Sequence, residues 1–239
     1  MLSYGPHGGR SARVAFTSLA EGNLALHVGD DPAAVHGRRA RLAASLGLAG
    51  GAFQFMDQVH SARVVDVPPG TRLDPAPTAD ALVCADGSVP LAVMTADCVP
   101  VVFVGARPDG SAATAVAHAG RKGLLGGVLQ NTLARLRAAG AGSVSAWIGP
   151  AVCGSCYEVP GDMAAEAERG APGISCATSR GTTGLDLPSA AARILAAAGV
   201  QVTESGICTL EDGDYPSHRR DPSSGRCAGL VWLEQGVAA

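Results

Sequence analysis

The sequence predicts an α/β protein, a layered sandwich of mixed β-sheet covered by helices. Segments of strand length and segments of helix length interleave along the whole chain. The strand segments are apolar at almost every position, which is typical of strands covered on both faces. Helices must supply that cover, so a layered α/β architecture follows.

The first part of the chain is predicted to contain one helix among several strands. Asp31 and Pro32 indicate a helix start, and the helix is predicted over 33–46 with its end at Gly47. The proline-rich segment 68–79 is predicted to be a surface loop. Strands are predicted at 14–17, 53–56, 63–67 and 81–84.

Residues 89–104 form the most apolar run of the chain, and a Thr-Ala-Asp-Cys step interrupts its middle. We predict two buried strands here, or one long strand kinked at Asp97 and Cys98. Pro100 is expected to be excluded from a central ladder position. An acid beside a thiol between buried strands is costly unless it is paired or bound, so this step marks a candidate site.

The second half continues the alternation. Further strands are predicted at 112–118, 143–148, 200–208 and 228–232, and helices at 124–138, 162–169 and 186–198. Because strands continue on both sides of the loop at 68–79, residues 1–239 are predicted to form a single domain.

Composition excludes several classes of protein. No uninterrupted apolar run is long enough to cross a bilayer and no secretory signal is visible, so we expect a soluble, cytoplasmic monomer. A net charge of −3 with 4% aromatic residues argues against a broad nucleic-acid surface. Seven cysteines, an odd number, indicate reduced thiols, some of them ligands, rather than a disulfide framework.

Three residues of metal-ligating types stand at strand ends. They are His60, Cys98 and His118, and two imidazoles with one thiolate form a ligand set suited to a catalytic zinc ion with one open position. The long separations between them carry little information by themselves. The alternative is a buried cysteine that only packs and histidines that are satisfied in the core.

A series of ordered motifs runs through nearly the whole chain. It comprises Leu26-His-Val-Gly-Asp-Asp-Pro32, Asp57-Gln-Val-His60, Ala79-Asp-Ala-Leu-Val83, Met94-Thr-Ala-Asp-Cys-Val-Pro100, Ala117-His-Ala-Gly120, Trp147-Ile-Gly-Pro-Ala-Val152, Cys156-Tyr-Glu-Val159, Ser217-His-Arg-Arg-Asp221 and Gly225-Arg226. With these motifs the chain resembles the YfiH/DUF152 family, whose members are also described as laccase-domain or multicopper polyphenol oxidase proteins, peptidoglycan editing factors or purine nucleoside phosphorylases.

The resemblance implies a YfiH-like fold and a metal held by His60, Cys98 and His118, which would also be catalytic. The metal is usually zinc in the family, with copper as the alternative. The implied activities are phosphorolysis of adenosine, inosine, guanosine or methylthioadenosine, and adenosine deamination. Purine nucleoside and phosphate would then be the partners of the protein.

Further site residues are predicted around this group. Arg121 and Lys122 replace the Trp-Arg of the family motif, and with the helix start behind them they are candidates to hold phosphate, or else form a solvated basic turn. Asn23 is predicted to reach the site from a loop. Asp97 is predicted to orient His60 or His118, or to act as an acid or base.

Cys153 and Cys156 form a Cys-x-x-Cys pair that the family motif lacks. The residues after it, Tyr-Glu-Val-Pro, do not read as a helix, so a thioredoxin-like redox role is disfavoured. We interpret the pair as ordinary, partly buried thiols. A second zinc site is not expected, because no other cysteine pair has suitable spacing.

Several activities remain open at this point. The His-x-Glu and Pro-Cys-x-x-Cys signature of zinc nucleobase deaminases is absent, so deamination would need another arrangement. Copper polyphenol oxidation is disfavoured because none of the six histidines forms a His-x-His pair. A cysteine hydrolase acting on peptidoglycan precursors, with Cys98 as nucleophile, is the main alternative. A zinc-stabilised partner of cell-envelope or division proteins is the non-enzymatic one.

Overall fold

A computed structural model of the chain describes residues 1–7, 12–49 and 51–234. Its strands are β1 (Leu2–His7), β2 (Ala12–Phe16), β3 (Val64–Val67), β4 (Ala81–Cys84), β5 (Leu91–Thr95), β6 (Val99–Ala106), β7 (Ala112–Ala119), β8 (Ser143–Ile148), β9 (Ser175–Ala177), β10 (Thr183–Leu185), β11 (Gln201–Glu204) and β12 (Cys227–Leu233). Its helices are α1 (Pro32–Ser45), α2 (Arg121–Leu125), α3 (Val128–Ala138), α4 (Gly161–Gly170) and α5 (Leu187–Ala197).

Two larger sheets organise the fold. A four-stranded antiparallel sheet has the order β1-β2-β12-β5, and a six-stranded mixed sheet has the order β11-β8-β6-β7-β4-β3. In the mixed sheet the outer pairs β3–β4 and β8–β11 are parallel, and the inner pairs are antiparallel. The predicted α/β class with a mixed sheet is confirmed.

The sheets and helices form layers, and strand β6 shows how. Val101 and Phe103 point to a core shared with helices α2 to α5. Val102 and Val104 point to a second core, between the two sheets, which also contains Phe16. Because side chains alternate across a strand, one apolar strand serves both cores. A third core lies on the far face of the four-stranded sheet, against α1.

The apolar run at 89–104 divides into β5 and β6, which belong to different sheets. The prediction of two buried strands is therefore confirmed. The expectation for Pro100 was wrong, because it lies in the central strand β6. It occupies the second position of that strand, at the end of the pairing with β8, where its carbonyl accepts the backbone N–H of Gly149 at 3.0 Å, so its missing N–H affects only the end of that ladder.

Other elements differ from their predictions for local reasons. Residues 53–56 form only a single bridge, Gln54 to Leu91, instead of a strand. The helix predicted at 124–138 breaks at Gly126 and Gly127, where a φ of 88° at Gly127 is incompatible with a continuous helix. The strand predicted at 200–208 ends at Glu204. Strands β1, β9 and β10 were not predicted.

No helix that the structure describes combines the length and the apolar character needed to cross a bilayer.

The two sheets meet closely at Gly149. A Cβ atom at this position would lie 2.2 Å from Cδ1 of Phe16, a fully buried ring. We therefore expect Gly149→Ala to overpack the contact and to lower the free energy of unfolding by about 1–3 kcal/mol. Gly142→Ala is the matched control, since its nearest neighbour would be 3.9 Å away. Equal denaturant midpoints for the two variants would contradict this account of the sheet contact.

Candidate metal centre

His60, Cys98 and His118 converge at one edge of the two sheets. Cys98 lies in the crossing between β5 and β6, His118 lies in β7, and His60 lies in the loop before β3. Their ligand atoms are all within 4.8 Å of one another. The Sγ of Cys98 is 3.6 Å from Nε2 of His60, and the two imidazole rings are 4.6 Å apart between centroids.

This geometry fits a tetrahedral metal. Zinc bonds of about 2.3 Å to sulfur and about 2.0–2.1 Å to nitrogen place the two ligand atoms about 3.5 Å apart, which agrees with the 3.6 Å between Cys98 and His60. The Nδ1 of His118 is occupied by Asp80, so its Nε2 is the nitrogen left for a ligand. Three protein ligands leave a fourth position for water or substrate.

Asp80 is the residue that holds this arrangement together. Its carboxylate is fully buried and accepts the Nδ1 of His118 at 2.8 Å. It also accepts the backbone N–H of His60 at 2.9 Å and the backbone N–H and hydroxyl of Ser61 at 2.6 and 2.7 Å. These bonds hold His60 at a φ of 60°, a conformation that only a few per cent of non-glycine residues adopt.

The electrostatics of the Asp80–His118 pair favour an ionised Asp80 and a protonated His118. Burial opposes ionisation of Asp80, but its hydrogen bonds from His118 and Ser61 outweigh burial and lower its pKa to about 2. Burial also opposes a charge on His118, yet Asp80 and Cys98 raise its pKa to about 9. A position that favours a proton this strongly also favours a metal cation, which displaces that proton on binding.

Cys98 is activated by the same neighbours. Burial alone would raise the pKa of its thiol, but the hydrogen bonds from His118 and His60 lower it to about 6. The thiolate, which is the form that binds metals or attacks carbon, therefore predominates at neutral pH.

Asp97 does not orient either histidine, which corrects the sequence-based expectation. Its carboxylate accepts the hydroxyl of Thr209 at 2.7 Å and the backbone N–H of Arg219 at 2.8 Å. Asp97 has a φ of 84°, in the left-handed region. It therefore anchors the loop that carries Arg219 against the crossing between β5 and β6, while the role predicted for it belongs to Asp80.

The close packing of His60 and Cys98 requires a glycine at position 120. A Cβ atom here would lie 2.7 Å from Cδ2 of His60 and 3.0 Å from Sγ of Cys98. Arg121 and Lys122 follow directly and begin the short helix α2. Neither side chain lines the two cavities that reach the metal ligands.

Asn23 is a structural residue of the neighbouring loop. Its amide donates to the Ala25 carbonyl and to Asp30, each at 2.9 Å, and its oxygen accepts the backbone N–H groups of Ala25 and Arg226. These bonds engage both the amide nitrogen and the amide oxygen of the Asn23 side chain. Asn23 lines neither cavity, so it acts through Arg226, whose backbone it positions.

Two cavities open onto the group formed by His60, Cys98 and His118, the smaller one onto His60 and Cys98 alone. The larger, of about 370 Å³, is lined by all three ligands and also by His27, Gln58, Met94, Thr95, Ala96, His218 and Arg226. The smaller, of about 230 Å³, is lined by His60, Cys98, Ala96, Asp97, Val152, Tyr157, Leu187, His218 and Arg219. Because His60, Ala96, Cys98 and His218 line both, the ligand group lies at the junction of two compartments.

Each compartment has its own cationic side chain. Arg226 belongs to the larger cavity, and Arg219 belongs to the smaller, where its guanidinium lies 4.6 Å above the ring centre of Tyr157. Sequence reasoning gave no site role to Gln58, Asp80, Tyr157 or Arg226. The signal available was that all four lie inside the ordered motifs, and that Asp80 is an acid directly before a fully apolar strand.

Comparison with characterised sequences identifies close relatives. The chain is 47% identical over 217 residues to a purine nucleoside phosphorylase of Mycobacterium tuberculosis, which spans 89% of this chain and 84% of the relative. It is 44% identical over 238 residues to a purine nucleoside phosphorylase of Streptomyces griseus, with 94% and 95% coverage.

Solved structures show the same fold. The Neisseria meningitidis protein NMB0706, a DUF152 protein, superposes with a TM-score of 0.78 at 32% identity, covering 98% of this chain and 99% of that chain. YlmD of Geobacillus stearothermophilus gives a TM-score of 0.80 at 31% identity, with 95% and 93% coverage. Residues 5–234 match the family described as multi-copper polyphenol oxidoreductase laccase. The chain therefore belongs to this laccase-like YfiH/DUF152 family.

Proposed function

We propose that the protein is a zinc-dependent purine nucleoside phosphorylase, acting on adenosine, inosine, guanosine or methylthioadenosine, with adenosine deaminase activity at the same centre. The observation that carries the proposal is the His60–Cys98–His118 group at the junction of two cavities. The relatives named as purine nucleoside phosphorylases, at 40–47% identity, support the same substrate class.

The two cavities suit the two substrates of phosphorolysis. We place phosphate in the larger cavity beside Arg226, because a guanidinium binds phosphate oxygens in pairs. The purine base is placed in the smaller cavity, against Tyr157, Val152 and Leu187. The anomeric carbon of the ribose then lies at the shared boundary, next to the metal ligands.

This placement revises the phosphate site expected from the sequence. Arg121 and Lys122 lie beyond the cavity walls, so in our proposal they contribute positive charge near the entrance instead of direct contacts.

The reaction exchanges one bond at the anomeric carbon. A phosphate oxygen forms a bond to this carbon as the bond to the purine nitrogen breaks, and the purine leaves with the bonding electrons and takes up a proton. In our proposal His218 transfers that proton, because it lines both cavities. Asp97 keeps Arg219 and the smaller cavity in position through the backbone N–H of Arg219.

A zinc ion on His60, Cys98 and His118 would supply Lewis acidity and, for deamination, a water molecule whose pKa is near 7. The thiolate of Cys98 and the neutral Nε2 of each histidine would be the donors, and the bond of Asp80 to Nδ1 of His118 favours the tautomer that presents Nε2. Copper polyphenol oxidation is not proposed, because the chain has no His-x-His pair with which to build a copper cluster.

Cys98→Ala tests the assignment of the site. It removes one proposed metal ligand. We expect the transition state to lose several kcal/mol of metal-derived stabilisation, which lowers kcat/KM by about 10³-fold or more. The measurement is chromatography of adenine and ribose 1-phosphate formed from adenosine and phosphate, and of inosine formed without phosphate. Cys84→Ala, a buried thiol on β4, is the control and should retain activity. Undiminished ribose 1-phosphate formation by Cys98→Ala would refute the assignment.

Asp80→Asn tests the positioning role of the buried carboxylate. The amide cannot accept from His118 and the 59–61 backbone as the carboxylate does, so metal affinity should fall by about 10–100-fold. Chelator competition measures the affinity, and circular dichroism verifies the fold. Asp66→Asn is the matched control, since Asp66 forms only an exposed ion pair with Arg135. An unaltered affinity in Asp80→Asn would show that Asp80 does not support the ligands.

A cysteine hydrolase acting on peptidoglycan precursors is the second candidate, and one observation favours it. The low pKa of Cys98 and its two neighbouring imidazoles are the features of a thiolate nucleophile with a general base. In that mechanism Cys98 attacks a carbonyl carbon, the bond to the leaving group breaks, and the leaving group takes a proton from an imidazole. Water, deprotonated by the same imidazole, then cleaves the thioester and releases the acid and the Cys98 thiolate.

Metal removal separates the two candidates. After chelation we expect phosphorolysis to be lost and Cys98 to become open to iodoacetamide, with a half-maximal rate near pH 6, because its pKa is lowered to about 6. Mass spectrometry of the alkylated peptide measures this. Hydrolysis of a muropeptide precursor that survives chelation and is abolished by iodoacetamide would establish the hydrolase instead.

A further inference from the structure

A second group of metal-ligating side chains lies outside the site described above. Cys153, Cys156, Cys208 and Glu211 bring their ligand atoms within 4.8 Å of one another. This differs from the sequence-based interpretation of Cys153 and Cys156 as ordinary thiols with no partner. The partners escaped notice because the second pair is one cysteine and one glutamate, and only the fold brings it close to the first.

The two pairs are carried by matching turns. In the first, the backbone N–H groups of Cys156 and Tyr157 both donate to the carbonyl of Cys153, at 3.0 and 2.9 Å. In the second, the N–H groups of Glu211 and Asp212 both donate to the carbonyl of Cys208, at 3.2 and 2.9 Å. Each turn therefore presents its first and fourth side chains together, as Cys-x-x-Cys in one and Cys-x-x-Glu in the other.

Contacts between the turns hold them face to face. The backbone N–H of Cys153 donates to Sγ of Cys208 at 3.4 Å, and the thiol of Cys156 donates to a carboxylate oxygen of Glu211 at 3.3 Å. A backbone bridge between Ala151 and Cys208 joins the two segments next to these ligands. The N–H donated to sulfur stabilises a thiolate, which is the form that binds metal.

Arg220 supports the second turn, and one side of the four-residue group is accessible to solvent. Arg220 donates to the carbonyls of Thr209, Leu210 and Asp212 and so fixes the second turn from behind. Cys208 is buried while Glu211 is exposed, which leaves an entry path from solvent on the carboxylate side.

We propose that Cys153, Cys156, Cys208 and Glu211 bind a structural zinc ion in tetrahedral geometry. Four protein ligands close the site, and three thiolates select a soft or borderline metal such as zinc over magnesium or calcium. Binding forms three Zn–S bonds and one Zn–O bond, and the thiol protons are released to solvent. The proposal does not depend on the phosphorylase assignment, because none of the four residues is a ligand of the first centre.

The proposed ion would brace one wall of the smaller cavity. The first turn lies between Val152 and Tyr157, which line that cavity, and the second turn contains Thr209, which donates to Asp97. A metal that joins the two turns would fix the position of Tyr157 relative to Asp97 in the wall of this cavity. The metal itself would not contact the substrate.

Metal content gives the primary test. Wild-type protein purified anaerobically with zinc should contain two equivalents by mass spectrometry of the elements, and Cys98→Ala and Cys208→Ser should each contain one. Replacing zinc by cobalt distinguishes the centres, because the thiolate-to-cobalt band of Cys98→Ala, with three thiolates, should be about three times that of Cys208→Ser, with one. Cys176→Ser is the control, since this nearby free thiol lies outside the group.

Glutamate variants cover the case in which Cys208→Ser does not fold. Glu211→Gln should weaken retention of the second ion against a chelator, whereas Glu211→Cys should restore or strengthen it by completing a four-thiolate set. The proposal would be overturned if the wild-type protein contained one equivalent of zinc and both Cys208→Ser and Glu211→Gln contained the same amount. A Cys153–Cys156 or Cys156–Cys208 disulfide in the anaerobically purified protein, seen as a mass lower by two hydrogens, would also overturn it in favour of a redox role.

Discussion

The arrangement of the candidate metal centre depends on one buried carboxylate. Asp80 directly precedes β4 and lies opposite His118 of the neighbouring strand β7, whose backbone N–H donates to the Asp80 carbonyl at 2.7 Å. Its side chain reaches the imidazole of the same histidine and the backbone of the loop that carries His60. A buried charge is costly unless its hydrogen bonds are satisfied, so the sheet, the loop and both histidines must assemble together.

The third ligand comes from the place where the chain changes sheets. Strand β5 ends at Thr95 in the four-stranded sheet, and β6 begins at Val99 in the six-stranded sheet. Cys98 is therefore carried by a short crossing whose two ends are each held by a full ladder of hydrogen bonds. Such a support limits the movement of the thiolate, which favours a preorganised ligand set. The close approach of Gly120 to His60 and Cys98 adds a further constraint on the same spot.

The walls around this centre come largely from loops. Arg121 begins α2 outside the lining of either cavity. The cations that do face the cavities are Arg219 and Arg226 from the C-terminal loop. Asp97 and Asn23 position these two loop segments by accepting the backbone N–H groups of Arg219 and Arg226, respectively. They shape the cavities in this way, although Asp97 lines only the smaller one and Asn23 lines neither.

The sequence by itself determined the α/β class, most of the strands and α1, because apolar periodicity and an acid–proline helix start are local signals. It also predicted His60, Cys98 and His118 as candidate metal ligands, although only through the family motifs and not through spacing, and the structure brings these three side chains together. The tertiary structure decided that Asp80, rather than Asp97, orients His118, since the two residues meet across strands that are distant in the chain. It alone also paired Cys153 and Cys156 with Cys208 and Glu211, because proximity between separate turns is set by folding and leaves no periodic trace in the sequence.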